Sequence, residues 1–225
     1  MKKNPYPGKL ICVEGIDGSG KSEQFSLLHD ELIKIGSINV VFTKEPTNSE
    51  MGREIYDILR GHHPTIKLED LSELEMQRKY FYDRRGHYQD LVLPIILAGV
   101  HVASDRGIAS VAYGFKSLTD IDHFFSVQEA MFAHDKFRVP FIVPDLILIY
   151  DVDVDTAIER LKKKNRKLDK FEQRTKLEQA RANYLAISSK IPNCVIVDGR
   201  PSAEEVFAET KKHVFGLLGL KTRGV

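Results

Sequence analysis

Five stretches of the chain are apolar at nearly every position and bounded by Gly, Pro, Asn or charge: LICVE (10–14), INVVF (38–42), VHVAS (100–104), DLILIYD (145–151) and CVIVD (194–198). Apolar runs of this length mark strands buried on both faces, as in a parallel sheet covered by helices. Between them the period changes. Phe25, Leu28, Leu32 and Ile35 recur at spacings of three and four, an apolar helix face that Gly36 stops. Residues 69–98 are helical in composition, with Pro94 forcing a kink or break. Residues 156–164 and 170–189 read as two helices separated by the basic joint NRKLDK, and a last helix is expected over 203–217. Alternating strand and helix predict a single α/β domain over residues 1–225, with about five parallel strands and helices on both faces.

The charge balance narrows the partners. The 225 residues carry 33 basic and 32 acidic side chains, a net charge of +1. No global field draws in nucleic acid or anionic lipid, so neither nucleic acid nor membrane is an expected partner. Cys12 and Cys194 both sit in apolar runs and read as small core hydrophobes. The N-terminal MKKNPYPGK is basic without an apolar stretch behind it, and the longest apolar runs, such as FIVPDLILIY, are far short of a membrane span. A cytoplasmic protein is expected.

GIDGSGKS (15–22) follows the first strand and opens the first helix. Gly15-x4-Gly20-Lys21-Ser22 is the full P-loop pattern in its required context, which predicts a P-loop NTPase fold. Glycines let successive N–H groups converge on phosphate oxygens, helped by the positive end of the following helix. Gly15, Asp17, Gly18, Ser19, Gly20, Lys21 and Ser22 are therefore the candidate ATP-binding set. Lys21 is placed to span the β- and γ-phosphates and Ser22 to ligate Mg²⁺. A GTPase would show Asn-Lys-x-Asp after a later strand, whereas 165–169 reads NRKLD, in the wrong order and after a helix.

Asp105 and Arg106 end the third apolar run, and ligands of parallel α/β sheets gather at such strand ends. A carboxylate there holds Mg²⁺ through water, and an arginine clamps a second phosphate. Taken alone, the pair also fits a strand-ending salt bridge.

With these residues the chain resembles the thymidylate kinases, which move phosphate from ATP to dTMP, and the resemblance covers nearly its whole length. Residues 15–22 match the family P-loop, including its acid, so Asp17 inherits a contact to the acceptor 3′-hydroxyl. Thr43-Lys44-Glu45-Pro46 resembles the family's Thr-Arg-Glu-Pro, with lysine for arginine. Tyr80 to Arg84, with His87, resembles its aromatic-x-x-Asp-Arg-x-x-His helix, which implies that Tyr80 stacks on thymine and Arg84 reaches its O4. Asp105-Arg106 matches the family's Asp-Arg pair, with Arg106 on the acceptor phosphate. Pro144-Asp145-Leu146 resembles its entry to the next strand. Residues 162–170 resemble the lid that closes over ATP, its core matched by Leu168, Asp169 and Glu172. The resemblance thus implies Lys21, Asp17, Arg106 and the lid's Arg166 as catalytic; Asp17, Lys44, Glu45, Tyr80, Arg84, Arg106 and Ser110 as acceptor-binding; Ser22 and Asp105 as metal-binding. It also implies a homodimer.

The departures cluster on the acceptor side. Gly107 replaces the family's aromatic or histidine, and glycine is expected to leave space at the sugar 2′ position. After Ser110 the chain is one residue shorter than the family's Ser-x-x-Ala-Tyr-Gln, and the glutamine is gone: it reads Ser110-Val111-Ala112-Tyr113-Gly114. In an α-helix that loss rotates the later residues by about 100°, so Tyr113 and Gly114 inherit no role. Thr47-Asn48 stand where the family has two glycines. The expected activity is transfer of the ATP γ-phosphate to dTMP. Two alternatives stand beside it: a kinase for another nucleoside monophosphate, ribonucleotides included, and an ATP-binding paralogue that no longer transfers phosphate.

Overall fold

A computed structural model describes residues 2–115, 118–134, 140–163 and 172–221. Five strands, β2 (Leu10–Glu14), β3 (Val40–Lys44), β4 (His101–Asp105), β6 (Leu146–Asp151) and β7 (Cys194–Asp198), form one parallel sheet in the order β3-β4-β2-β6-β7. A two-residue strand, β1 (Lys2–Lys3), pairs with β5 (Ile142–Val143) beside it. The expected second strand is displaced by two residues: it starts at Val40 and runs on through Thr43 and Lys44, which pair with Ser104 and Asp105.

Alternation across the sheet divides the core. Leu10, Cys12, Ile147 and Ile149 face one cluster, with α3 (Glu73–His87), α5 (Leu118–His134) and α7 (Arg174–Ser188). Ile11, Val13, Leu148 and Tyr150 face the other, with α1 (Lys21–Ile35) and α8 (Ala203–Leu218). Leu28 and Leu32 are fully buried there, Phe25 and Ile35 pack beside them, and Gly36 ends α1 in the left-handed conformation.

The expected 69–98 segment is three pieces. Ser72 caps α3 with a capping box, a π turn follows over Tyr88–Val92, and α4 (Leu93–Leu97) has Pro94 in its first turn. Pro94 has no N–H to continue the ladder, and the register shifts just before it, where Leu93 N–H donates to Tyr88 O. Helix α2 (Glu50–Arg60), capped by Ser49, and α5 have no counterpart in the expected elements. Helix α6 (Val154–Lys162) starts at its Asp153 cap. Of the expected lid, Arg166, Leu168 and Asp169 lie outside the described residues.

Parallel strands bring their carboxyl ends to one edge. There the register sets Lys44 beside Asp105 and Asp105 beside Val13, one residue before Glu14 and the P-loop.

Candidate active site

The chain leaves β2 at Glu14 and enters α1 at Lys21 through the glycine-rich loop. Helices α2, α3, α6 and α8 each begin with a Ser or Asp side chain accepting a backbone N–H; α1 begins at Gly20, with no side-chain cap. Its first N–H groups and its positive dipole end are left for a ligand. Gly18 has φ +88°, and a Cβ there would stand 2.4 Å from Ala157 O, so the loop packs on α6 in a way only glycine permits. Arg160 of α6 braces the same loop, donating to Gly199 O at 2.9 Å and Ser19 O at 3.4 Å. A cavity of about 520 Å³ lies over residues 17–22, with Arg160 and Pro201 on its far wall.

A second cavity, about 280 Å³, lies between the P-loop, the ends of β3 and β4, and α3. Its lining holds every acceptor-side residue expected from sequence: Asp17, Lys44, Glu45, Tyr80, Arg84, Arg106 and Ser110. The two cavities meet at Asp17, Lys21 and Ser22, which line both.

Asp17 joins the charges of this junction. Its Oδ1 accepts from Lys21 Nζ at 2.9 Å and Arg106 Nη2 at 2.5 Å, and its Oδ2 from Tyr113 Oη at 3.1 Å. Burial alone would raise the carboxyl; Lys21 and Arg106 outweigh it and hold Asp17 well below its usual value. Arg106 stands in the left-handed region at φ +77°, costly for a residue with a Cβ. Its backbone is fixed on both sides: its N–H donates to Val13 O at 2.9 Å and its carbonyl accepts from Ser104 Oγ at 2.8 Å.

Glu14, fully buried, anchors the segment after Arg106. It accepts from Gly107 N–H (2.8 Å), Ser110 N–H (3.1 Å), Ser110 Oγ (2.6 Å) and Tyr184 Oη (2.9 Å). Burial raises its carboxyl, with Arg106 pulling the other way. On the cavity floor, Arg84 Nε donates to Glu45 at 2.8 Å and Nη2 to Gly107 O at 2.7 Å; His87 Nδ1 meets the other Glu45 oxygen at 3.1 Å. Burial would raise Glu45, but Arg84 and then His87 outweigh it and lower it. Thr47 and Ser49 bind the buried Asp83 carboxylate, which ties the loop after β3 to α3.

Two expectations are corrected. Gly107 does not open the sugar pocket: it is buried, and a Cβ there would stand 2.8 Å from Cys12 Sγ, towards the core. The shortened segment does not carry Tyr113 away either. Residues Ile108–Tyr113 wind as a 3₁₀ helix. Six residues at three per turn rotate the chain by about 720°, nearly the about 700° of seven α-helical residues. Tyr113 therefore reaches the site, where its Oη accepts from Asp17 N–H at 2.6 Å. Glu14, Tyr113, Arg160 and Tyr184 escaped sequence reasoning. The one available signal was Glu14, a charge closing an apolar strand, which burial obliges to find partners.

Ser22 Oγ donates to Asp105 Oδ2 at 3.3 Å, and among the described residues the buried Asp105 Oδ1 has no hydrogen-bond partner. A hydroxyl and a carboxylate oxygen left over at a phosphate loop fit a hard divalent cation.

A thymidylate kinase family model matches residues 13–210, which include the P-loop, the cavity beside α3 and Tyr184 of α7. The chain belongs to the thymidylate kinase family. Similar proteins include a probable thymidylate kinase of Methanococcoides burtonii, 32% identical over 213 residues, covering 94% of this chain and 98% of that one. The thymidylate kinase of Thermosipho africanus is 33% identical over 210 residues (91% and 96%), and that of Leptospira interrogans serovar copenhageni 30% over 207 (92% and 93%). This family member is thus an ATP-dependent phosphotransferase with a parallel P-loop sheet. No helix among the described residues is long and apolar enough to cross a membrane.

Proposed function

We propose that this kinase transfers the γ-phosphoryl group of ATP to dTMP, giving ADP and dTDP. The observation that carries the reading is the junction: two cavities, one over the P-loop and one beside α3, meet at Asp17, Lys21 and Ser22. Donor and acceptor phosphates entering from the two sides would face each other across Lys21.

ATP sits over residues 15–22, with backbone N–H groups on the phosphates and Lys21 following the transferred group. Arg106, with Lys44, holds the dTMP phosphate in line. An oxygen of that phosphate attacks the γ-phosphorus, the bond to the β-bridging oxygen breaks, and ADP leaves with the electron pair. The acceptor oxygen is already anionic, so no general base is needed. Tyr80 stacks on the base and Arg84 reaches its O4, held in place by Glu45 and Gly107 O. Ser22 and, through water, Asp105 would hold Mg²⁺, which when bound offsets charge on the β- and γ-phosphates. Arg166 belongs to a lid over residues 162–170 that brings cations to the phosphates and excludes water.

The same reading takes residues 1–225 as a single kinase domain with that lid inside it, working as a cytoplasmic homodimer. Exposed Leu74 and Tyr82 on α3 and Val127 on α5 support a dimer face. Two free cysteines are compatible with a reducing compartment.

The test is coupled ADP release with Mg²⁺-ATP against dTMP, dUMP, UMP, dCMP, CMP, AMP and GMP. The proposal requires dTMP to give the highest kcat/KM. Preference for a ribonucleotide, or no acceptor-stimulated turnover, would refute it.

A further inference from the structure

Two consecutive residues of α7 grip the segment that follows Arg106. Tyr184 takes its start, through Glu14, Ser110 and Arg106 itself. Asn183 takes its end, and it has no part in the proposed transfer. Its side chain is buried, and Nδ2 donates to Ala112 O at 2.9 Å and to Phe115 O at 2.7 Å. Its Oδ1 accepts from Gln179 Nε2 at 3.1 Å, one turn earlier on α7. Only the nitrogen of an amide can serve two carbonyls, so the partners set its orientation. The helix that carries it is fixed to the end of β6 two residues earlier, where Arg181 meets both oxygens of Asp151 at 2.7 and 2.8 Å.

The two carbonyls bracket Tyr113. Ile108–Tyr113 is a six-residue 3₁₀ run, longer than the about three or four residues such a helix usually sustains, so bonds from outside matter at its far end. Tyr113 in turn holds Asp17 twice: its Oη accepts from the Asp17 N–H at 2.6 Å and donates to Oδ2 at 3.1 Å. The other Asp17 oxygen holds Lys21 and Arg106. A shift at the end of the 3₁₀ run is therefore passed through one phenol to the carboxylate between both cations.

We propose that Asn183 is a positioning residue for the transfer. By holding Ala112 O and Phe115 O it keeps Tyr113 Oη on Asp17, and so keeps the carboxylate aligned between Lys21 and Arg106. The short segment explains the demand. The tighter 3₁₀ winding brings Tyr113 round to the site despite the missing residue, and a clamp on the two flanking carbonyls fixes it there. Alanine at 183 would keep α7 helical and remove both donors. Its effect on transfer would pass through Tyr113, which separates this role from merely holding the fold.

This role presupposes the dTMP reading of the site, and the experiment separates the two. Steady-state kinetics with Mg²⁺-ATP and dTMP, together with urea unfolding, compare the wild type, Asn183→Ala, Tyr113→Phe and the double variant. Asn183→Ala should lower kcat/KM for dTMP about tenfold, with equilibrium ATP binding changed far less. In the Tyr113→Phe background the same substitution should change kcat/KM by less than about twofold, because the contact it acts through is already gone. The urea midpoint should fall in both backgrounds, since the two donated hydrogen bonds are lost in each. Asn183→Ser, smaller and still polar, carries the same cycle if the alanine variant does not fold. Unchanged kcat/KM on replacing Asn183, or an equal loss in both backgrounds, overturns the inference while leaving the dTMP reading intact. A wild-type enzyme that does not phosphorylate dTMP overturns that reading, and the inference with it.

Discussion

Asp17 Oδ1 lies 2.5 Å from Arg106 Nη2, tying the phosphate loop directly to the end of β4. The same oxygen holds Lys21, so one carboxylate positions the two cations proposed to meet donor and acceptor phosphates. Asp17→Asn keeps the shape and removes the charge. We expect kcat/KM for dTMP to fall about 10- to 100-fold, as when one member of a shielded charge pair is lost. ATP affinity measured by equilibrium binding should change far less. Unaltered kinetics would mean that the bridge is a resting arrangement without consequence for transfer.

Arg106, the cation proposed to meet the acceptor phosphate, is held at the junction by Asp17 at 2.5 Å and by a backbone fixed in the left-handed region. Arg106→Ala should lower kcat by about 10²- to 10³-fold, while a fluorescent ATP analogue binds as before. Loss of nucleotide binding along with turnover would assign Arg106 to the donor side instead.

Removing Glu14 should loosen the segment after Arg106. Glu14→Ala leaves the donors of Gly107, Ser110 and Tyr184 without their acceptor in a buried place. The expected loss is at least about 2 kcal/mol in urea unfolding, with KM for dTMP raised. A variant as stable as the wild type would show that the segment holds itself.

The buried Glu45 gives the protein an acid-side slope. Its carboxyl is lowered, with Arg84 and His87 outweighing burial. A depressed carboxylate contributes stability that is present above its ordinary value of 4.5 and lost as pH falls through the folded value. Glu45→Gln should be less stable at neutral pH by about 3–5 kcal/mol, since Arg84 loses a buried partner. The gap between variant and wild type should narrow below pH 4.5. Unfolding curves measured from about pH 7 to about pH 3 check this, and a constant gap would remove Glu45 as the source.

What the sequence made legible was what lies close together along it. The P-loop is contiguous, its strand and helix flank it, and Asp105-Arg106 closes an apolar run, so their meeting at one sheet edge follows from parallel pairing. Tyr80 and Arg84 share a helix face for the same local reason. Glu14, Ser110 and Tyr184 belong to three distant segments, and no short-range pattern announces their contact. Tyr113 was misplaced because α-helical rotation was assumed where the chain winds as a 3₁₀ helix. Gly107 was misread because the direction of a missing Cβ depends on the local backbone, which turns it towards Cys12.

The central claim, transfer rather than mere binding or hydrolysis, is tested most directly by ³¹P NMR of wild-type enzyme with Mg²⁺-ATP and dTMP. The account predicts that dTDP and ADP appear in equal amounts, with no inorganic phosphate at early times. ADP accumulating with inorganic phosphate and no dTDP, or no change in the ATP signals, would contradict it.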